Sequence, residues 1–238
     1  MIAYLGGKTR MVKTIVPIIE EMREQGTGMY FEPFVGGGSI LESLDPMKGQ
    51  RYAGDTNKYL IALYTAIQNG WVPPDVVTEE EYAHVKSNRD AYPLEYVAFV
   101  GFCCSFASKF FNGYARNKQN SNYANRAKRQ ILKKGGLIDD VIFRPFAYDE
   151  WVIPEGSTVY CDPPYRDTTG YSVGAMDYEA FYDWCVGLAN KGCKVLVSEY
   201  TMPSDRFECI YSKQQDVGLS RQGDIKDGTR TEKLFTVK

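Results

Sequence analysis

The chain has 238 residues, 44% of them apolar, which allows one sizeable core plus a substantial insertion. Its formal net charge of −2 means that a phosphate-rich partner must be met by a local patch and not by the charge of the whole. No apolar run is long enough to span a bilayer and no signal peptide is legible at the start; six cysteines without a C-x-x-C pair, beside the single His84, assemble no zinc site by spacing and read as reduced thiols of an intracellular protein.

In chain order, Tyr4-Leu5-Gly6-Gly7-Lys8-Thr9 leads into a helix expected over 9–24, with Val12, Ile15, Val16, Ile19 and Met22 on one face. Gly7-Lys8-Thr9 shares the tail of a phosphate-binding P-loop, but that motif needs a glycine at Ile2 and a preceding strand. Lys8 at a helix N-terminus is placed instead to meet a carboxylate, such as an amino-acid tail. A strand over 29–33 then runs through Phe34 into Val35-Gly36-Gly37-Gly38-Ser39 and a short apolar helix at 39–44. A glycine turn there brings backbone N–H groups close to a ligand. The next strand, 51–55, ends on Asp55, where a doubly wound fold puts the acid that holds ribose hydroxyls. That geometry serves nicotinamide and flavin cofactors as well, although a G-x-G-x-x-G spacing from Gly36 would need glycine at Leu41.

Further helices are expected at 58–69, 79–89, 94–109 and 124–134, and strands at 141–144 and 157–161. From Tyr96 to Ile138 there is no acidic residue and there are eight basic ones, the pattern of a face that follows phosphates. Aromatic and amide side chains are interleaved with them, including Phe111, Asn112, Tyr114, Asn117 and Asn122, types that bond base edges or wedge into a stack.

The strand at 157–161 ends in Asp162-Pro163-Pro164-Tyr165. An aromatic amine attacks electrophiles poorly until its N–H groups are gripped. Asp162 can accept one hydrogen and the Pro163 carbonyl the other, the two prolines holding the turn extended. Tyr165 offers a flat face for stacking, a contact of about 1–3 kcal/mol in single-strand binders. Asp162 thus reads as an aligning acceptor that stabilises charge developing on nitrogen. The segment 166–176 reads as a loop able to close over a base, a helix follows at 178–190, strands at 194–198, 209–212 and 233–237 complete the chain, and 220–229 has the form of a basic hairpin. No Pro-Cys pair supplies the thiol nucleophile of a cytosine-C5 methyltransferase, so transfer should be direct.

The Gly-Gly-Lys segment, the Glu32-Pro33-Phe34-Val35-Gly36-x-Gly38-Ser39 turn and Asp162-Pro163-Pro164-Tyr165, in this order, resemble the Dam-type (D12 class) DNA adenine N6-methyltransferases. The resemblance implies a Rossmann-like, S-adenosylmethionine-dependent α/β sheet with a helical target-recognition insertion, catalytic parts at 1–70 and 148–238 and the insertion at 71–147. It implies donor contacts from Tyr4, Lys8, Phe34, Gly36, Asp55 and Asp162, and catalysis by Asp162 to Tyr165 on an adenine flipped out of duplex DNA. Phe111-Asn112-Gly113-Tyr114-Ala115-Arg116 looks like the family's aromatic-Asn-Gly-x-x-Arg loop, which implies a wedging Phe111 and base contacts from Asn112 and Arg116. Lys118, Arg126, Lys128 and Arg129 are expected on the DNA, the last three on its backbone. No metal is expected, and the protein should act as a monomer or weak dimer on DNA in the cytoplasm of a prokaryote or phage-infected cell. An RNA methyltransferase and a non-catalytic DNA-binding regulator are the rival readings.

Overall fold

The computed structural model describes residues 2–4, 6–119, 121–165, 176–216 and 229–238, apart from the side chains of 215, 216, 229 and 230. The expected closing loop at 166–176 and basic hairpin at 220–229 lie almost wholly outside the described residues.

Strands β1 (Tyr30–Glu32), β2 (Arg51–Gly54), β3 (Ile142–Arg144), β4 (Thr158–Cys161), β5 (Lys194–Glu199), β6 (Phe207–Asp216) and β7 (Thr229–Val237) form one sheet in the order β3-β2-β1-β4-β5-β7-β6. The first five run parallel, and β7 inserts antiparallel between β5 and β6. Residues of β4 are buried throughout, as a central parallel strand covered on both faces requires. Successive side chains part to the two sides, Tyr160 into one core cluster and Val159 and Cys161 into the other.

Helices α1 (Val12–Glu24), α2 (Lys58–Gln68), α3 (Glu79–Ser87), α4 (Leu94–Ala98), α5 (Tyr123–Lys134) and α6 (Tyr178–Asn190) flank this sheet. Local chemistry starts four of them: Asn57, Thr78, Asn122 and Asp177 each accept an N–H from the first turn that follows. α1 and α2 pack with Tyr160 and Leu196 on one face, and α6 packs with Val159 and Val195 on the other. The result is a Rossmann-like α/β fold. From β1 the strand order runs outward to β2 and β3 on one side and to β4 on the other. That reversal opens a crevice at the carboxyl ends of β1 and β4, the place where sheets of this kind bind ligands.

Between α2 and β3 the chain builds α3, α4 and α5, and their apolar side chains Val85, Val97, Ala98 and Ile131 belong to the same cluster as Ile15 and Leu60. The insertion therefore shares the core of the sheet's face.

Two expected helices come out shorter. At 39–44 the chain makes a single 3-10 turn, Leu41–Ser43, because the Arg51 guanidinium takes the Leu41 and Leu44 carbonyls and Leu44 is extended. The helix expected to reach 109 stops at Ala98 and passes into a π turn, Phe99–Cys103. Gly101 explains the stop: its carbonyl accepts the Phe111 N–H and the Ser105 hydroxyl, and a Cβ there would lie 2.4 Å from the Phe110 ring. The chain then doubles back, with an isolated bridge between Ser105 and Tyr114.

Along α1 Ile15 and Ile19 are buried and Val12, Val16 and Met22 pack partly buried against the same core as expected, while Arg23 is an unexpected third buried position. Arg23 donates to the carbonyls of Gly28, Asp45 and Gly49, tying the entrances of β1 and β2 to the helix. Replacing Arg23 by Met strands these acceptors. The expected cost is at least about 3 kcal/mol, read from urea unfolding; a loss below about 1 kcal/mol contradicts the assigned role.

Candidate functional site

The crevice is built from three segments that the fold brings together. The first is the amino-terminal stretch, which crosses the glycine turn: the Ile2 N–H donates to the Gly37 carbonyl, and the Tyr4 ring lies 3.2 Å from where a Cβ on Gly36 would stand. Gly36 and Gly38 adopt φ of 44° and 67°, left-handed backbone suited to glycine. The second segment is that turn itself, held by the Tyr64 hydroxyl on the Gly36 carbonyl at 2.6 Å. The third is Asp162-Pro163-Pro164-Tyr165, leaving the end of β4.

Lys8 joins the first segment to the third. Its ammonium lies 2.8 Å from an Asp162 carboxylate oxygen and 4.7 Å from the centre of the Tyr165 ring. Lys8 stands ahead of α1, in a turn closed by the Met11 N–H on its own carbonyl, and the carboxylate it meets is that of Asp162. Burial raises the Asp162 pKa, and the adjacent Lys8 charge pulls it back down. Tyr165 is buried, donates its hydroxyl to Glu232 at 2.9 Å and meets Tyr200 edge-on. Its ring is thus clamped from both ends, with Lys8 over the face expected to stack on a base. The Pro164 carbonyl takes the Tyr178 hydroxyl at 2.7 Å, whereas no donor among the described residues reaches the Pro163 carbonyl.

Asp55 sits at the end of β2 as expected. Its carboxylate accepts the Gly36 N–H at 3.3 Å and the Asn57 N–H at 2.9 Å. Burial lifts its pKa to about 6 while those two bonds oppose the shift. The Gly36 amide is therefore turned to Asp55. Phe34 is held by Tyr148, stacked at 5.8 Å, and by Phe181, edge-on.

Sequence reasoning missed Glu32 as a functional candidate. It is buried on β1 beside β4, accepts the Tyr30 hydroxyl at 2.7 Å, and burial pushes its pKa up to about 8. The signal was an acid inside a buried three-residue strand, legible only once the strand's depth is known.

On the insertion, one expectation is corrected. Phe111 is buried against Phe110 and Tyr82 with Arg89 over its ring, because its N–H bonds back to Gly101, so it is not placed to wedge into a base stack. The exposed aromatic of that loop is Phe106. Asn112 and Lys118 are exposed as expected. Two expected DNA contacts are engaged by acids from the preceding segment: Arg116 pairs with Glu79, and Lys128 with Asp75 at 2.9 Å. Lys134 pairs with Glu42. Arg126 and Arg129, on the exposed side of α5, form no salt bridge among the described residues. Among the described residues no helix is long and apolar enough to cross a membrane, and no His, Cys, Asp and Glu cluster could hold a metal ion.

Fold and site together define a Rossmann-like α/β protein with a glycine turn and an Asp-Pro-Pro-Tyr segment at the carboxyl ends of neighbouring strands. Residues 4–93, less than half of the chain, match the family model of the D12 class N6 adenine-specific DNA methyltransferases. A curated relative, the Type II methyltransferase M.FokI of Planomicrobium okeanokoites, is 23% identical over 210 residues, covering 76% of this chain and 31% of that protein. The chain thus spans about a third of the length of that relative. Among solved structures, one described provisionally as an rRNA-methylase from Clostridium thermocellum aligns with a TM-score of 0.35 and 9% identity over 100% of this chain and 99% of its own. Another, SMU.472, described provisionally as a methyltransferase and complexed with SAH, gives 0.34 and 12% over 95% of this chain and 54% of its own.

Glu32 generates a prediction about stability. Folded, it keeps its proton up to about pH 8, whereas the unfolded chain releases it near the ordinary 4.5. Across that window the unfolded state holds fewer protons, so the Glu32 contribution to stability falls as pH rises and levels off above it. Glu32→Gln removes this slope. In urea unfolding the variant is expected to gain on the wild type between about pH 5 and pH 8; a difference that stays constant across that range contradicts the buried neutral acid.

Proposed function

We propose that the protein transfers a methyl group from S-adenosylmethionine to N6 of an adenine rotated out of duplex DNA. The observation that carries this reading is the Lys8 ammonium lodged on the Asp162 carboxylate beside the Tyr165 ring. An exocyclic amine requires the same surroundings: a buried anionic acceptor, an aromatic neighbour, and a second acceptor, which the Pro163 carbonyl supplies. The family match over residues 4–93 and the similarity to M.FokI support adenine in DNA as the substrate.

The residues present fit a nucleoside donor. Asp55 is a half-buried carboxylate at the end of β2, beside the glycine turn whose Gly36 N–H it accepts. On this reading Asp55 holds the ribose hydroxyls and Lys8 the carboxylate tail, with Tyr4 and Phe34 closing the pocket. When bound, S-adenosylmethionine supplies an electrophilic methyl group on a sulfonium.

The protein's part is alignment and charge. Asp162, largely out of water, has a raised pKa that the Lys8 charge holds down, so without that partner it draws in the next cation or N–H donor offered. Asp162 then attracts whatever positive charge develops, and an amine under attack develops it on nitrogen. No proton leaves before the nitrogen–carbon bond forms and the methyl's bond to sulfur breaks; Asp162 accepts a hydrogen bond from one amine hydrogen and the Pro163 carbonyl from the other, and the surplus proton of the methylated nitrogen then passes to Asp162. Clamped by Glu232 and Tyr200, Tyr165 orients the base with little entropy left to lose. Flipping costs a few kcal/mol of pairing and stacking, which stacking on Tyr165 and an exposed aromatic such as Phe106 would offset in part. Residues 71–147 would face the duplex, with β3 within that span held in the sheet.

Asp162→Ala is expected to abolish formation of N6-methyladenine in duplex DNA, measured by mass spectrometry of digested product, while DNA affinity stays within a few fold. Wild-type rates in that variant contradict the reading. So does a wild-type protein that binds no S-adenosylmethionine in calorimetry.

A further inference from the structure

Beside the glycine turn lies a second concavity, a cleft of about 280 Å³ between the amino-terminal residues Ile2 and Ala3, the loop at Ser105–Ser108 and the exposed face of α5. Its volume is close to the lower end of the roughly 300–1,000 Å³ of ligand pockets. Arg126 and Gln130, one turn apart on α5, reach into it, and Tyr123 stands a turn before them. No carboxylate lines it among the described residues.

The chemistry of this lining is selective. While Arg116, Lys128 and Lys134 are paired with acids, Arg126 forms no salt bridge among the described residues, so its guanidinium keeps its forked donors for a ligand. Ser105 is committed, its hydroxyl donating to the Gly101 carbonyl and bonding with the Tyr82 hydroxyl. Ala107 and Ser108 hold φ of 55° and 53°, a left-handed pair unfavourable for residues other than glycine. Strain held at a cleft floor marks a shape the surroundings enforce.

Position supplies the occupant. Ala3 lines the cleft and Lys8 touches Asp162, so one stretch of five residue steps links the two sites. Fully extended it spans at most about 18 Å. That is about five base-pair steps at roughly 3.4 Å each, so the backbone at Ala3, on the edge of the cleft, and the backbone at Lys8 lie within the length of one short recognition word.

We propose that this cleft reads a guanine flanking the methylated adenine, with Arg126 donating to its O6 and N7 acceptors and Gln130 bonding beside it. Guanine is the base whose major-groove edge offers two adjacent acceptors, and an arginine fork is its usual partner. This proposal rests on the reading of the protein as a DNA methyltransferase and moves Arg126 from a backbone contact to a base contact.

The test begins by mapping the adenines that the wild-type enzyme methylates in plasmid DNA. Each guanine of that word is then replaced in turn by 7-deazaguanine, which lacks the N7 acceptor, in synthetic duplexes. One position is expected to cost the wild type about ten- to hundredfold in kcat/KM. At that position Arg126→Ala should lose nothing more on the modified duplex, having already lost the same factor on the unmodified one. Arg126→Lys, which keeps the charge and the fold of an exposed helical residue, should retain the salt dependence of binding and still lose the guanine preference. Gln130→Ala should relax the same position. If Arg126→Ala instead slows all duplexes alike and lowers the salt slope by about one, the arginine meets a phosphate and the inference is overturned. If the wild type methylates no DNA, the functional reading itself fails and this inference falls with it.

Discussion

The ion pair between Lys8 and Asp162 is the constraint around which the crevice is organised. Both side chains are largely out of water, and two such charges are tolerated only in each other's company. Meeting that requirement draws the amino-terminal stretch across the glycine turn, which sets Tyr4 against Gly36 and Gly37 and would bring a Cβ on Gly37 within 2.8 Å of the Tyr4 side chain. It also fixes the direction in which the Asp-Pro-Pro-Tyr segment leaves β4. Burial keeps neighbouring Glu32 protonated, against the opposing hydrogen bond from the Tyr30 hydroxyl, so it adds no second negative charge. The pair is at once a structural tie and, on the proposed function, a stand-in for the amine of the base.

The helical insertion is less of a separate reader than its composition suggests. Its apolar side chains complete the core that covers α1 and α2, so the surface that would face DNA is fixed to the surface that would perform chemistry. Its basic residues are also less available than their number implies, since acids at Asp75 and Glu79 reach Lys128 and Arg116. Among the described residues three basic side chains of α5, Arg126, Arg129 and Lys133, form no salt bridge, and Arg126 lines the cleft.

Much of this was legible in the sequence. The strands at 29–33, 51–55 and 157–161 announce themselves by short apolar runs ending in functional letters, and their parallel pairing follows from the helices between them. Periodicity placed α1, α2 and α6 within a few residues. The failures share one cause: contacts between residues far apart in the chain. The helix from Leu94 breaks because Phe110 and Phe111 fold back on Gly101, and no local propensity reports that return. Phe111 looked like an exposed wedge because its neighbours Asn112 and Arg116 are polar, yet Tyr82 buries it from another helix. Arg23 shows no apolar character, yet it is among the most deeply buried side chains because loops beyond the helix offer it their carbonyls.

The most direct test of the central claim is a crystal structure of the protein with S-adenosylhomocysteine and a duplex carrying its methylation word. The account predicts that the Lys8 ammonium leaves Asp162 for the carboxylate of the bound nucleoside and that the amine of a flipped adenine takes its place within hydrogen-bond distance of Asp162. A complex in which Lys8 and Asp162 remain 2.8 Å apart, with the ligand and the base elsewhere on the surface, would contradict it.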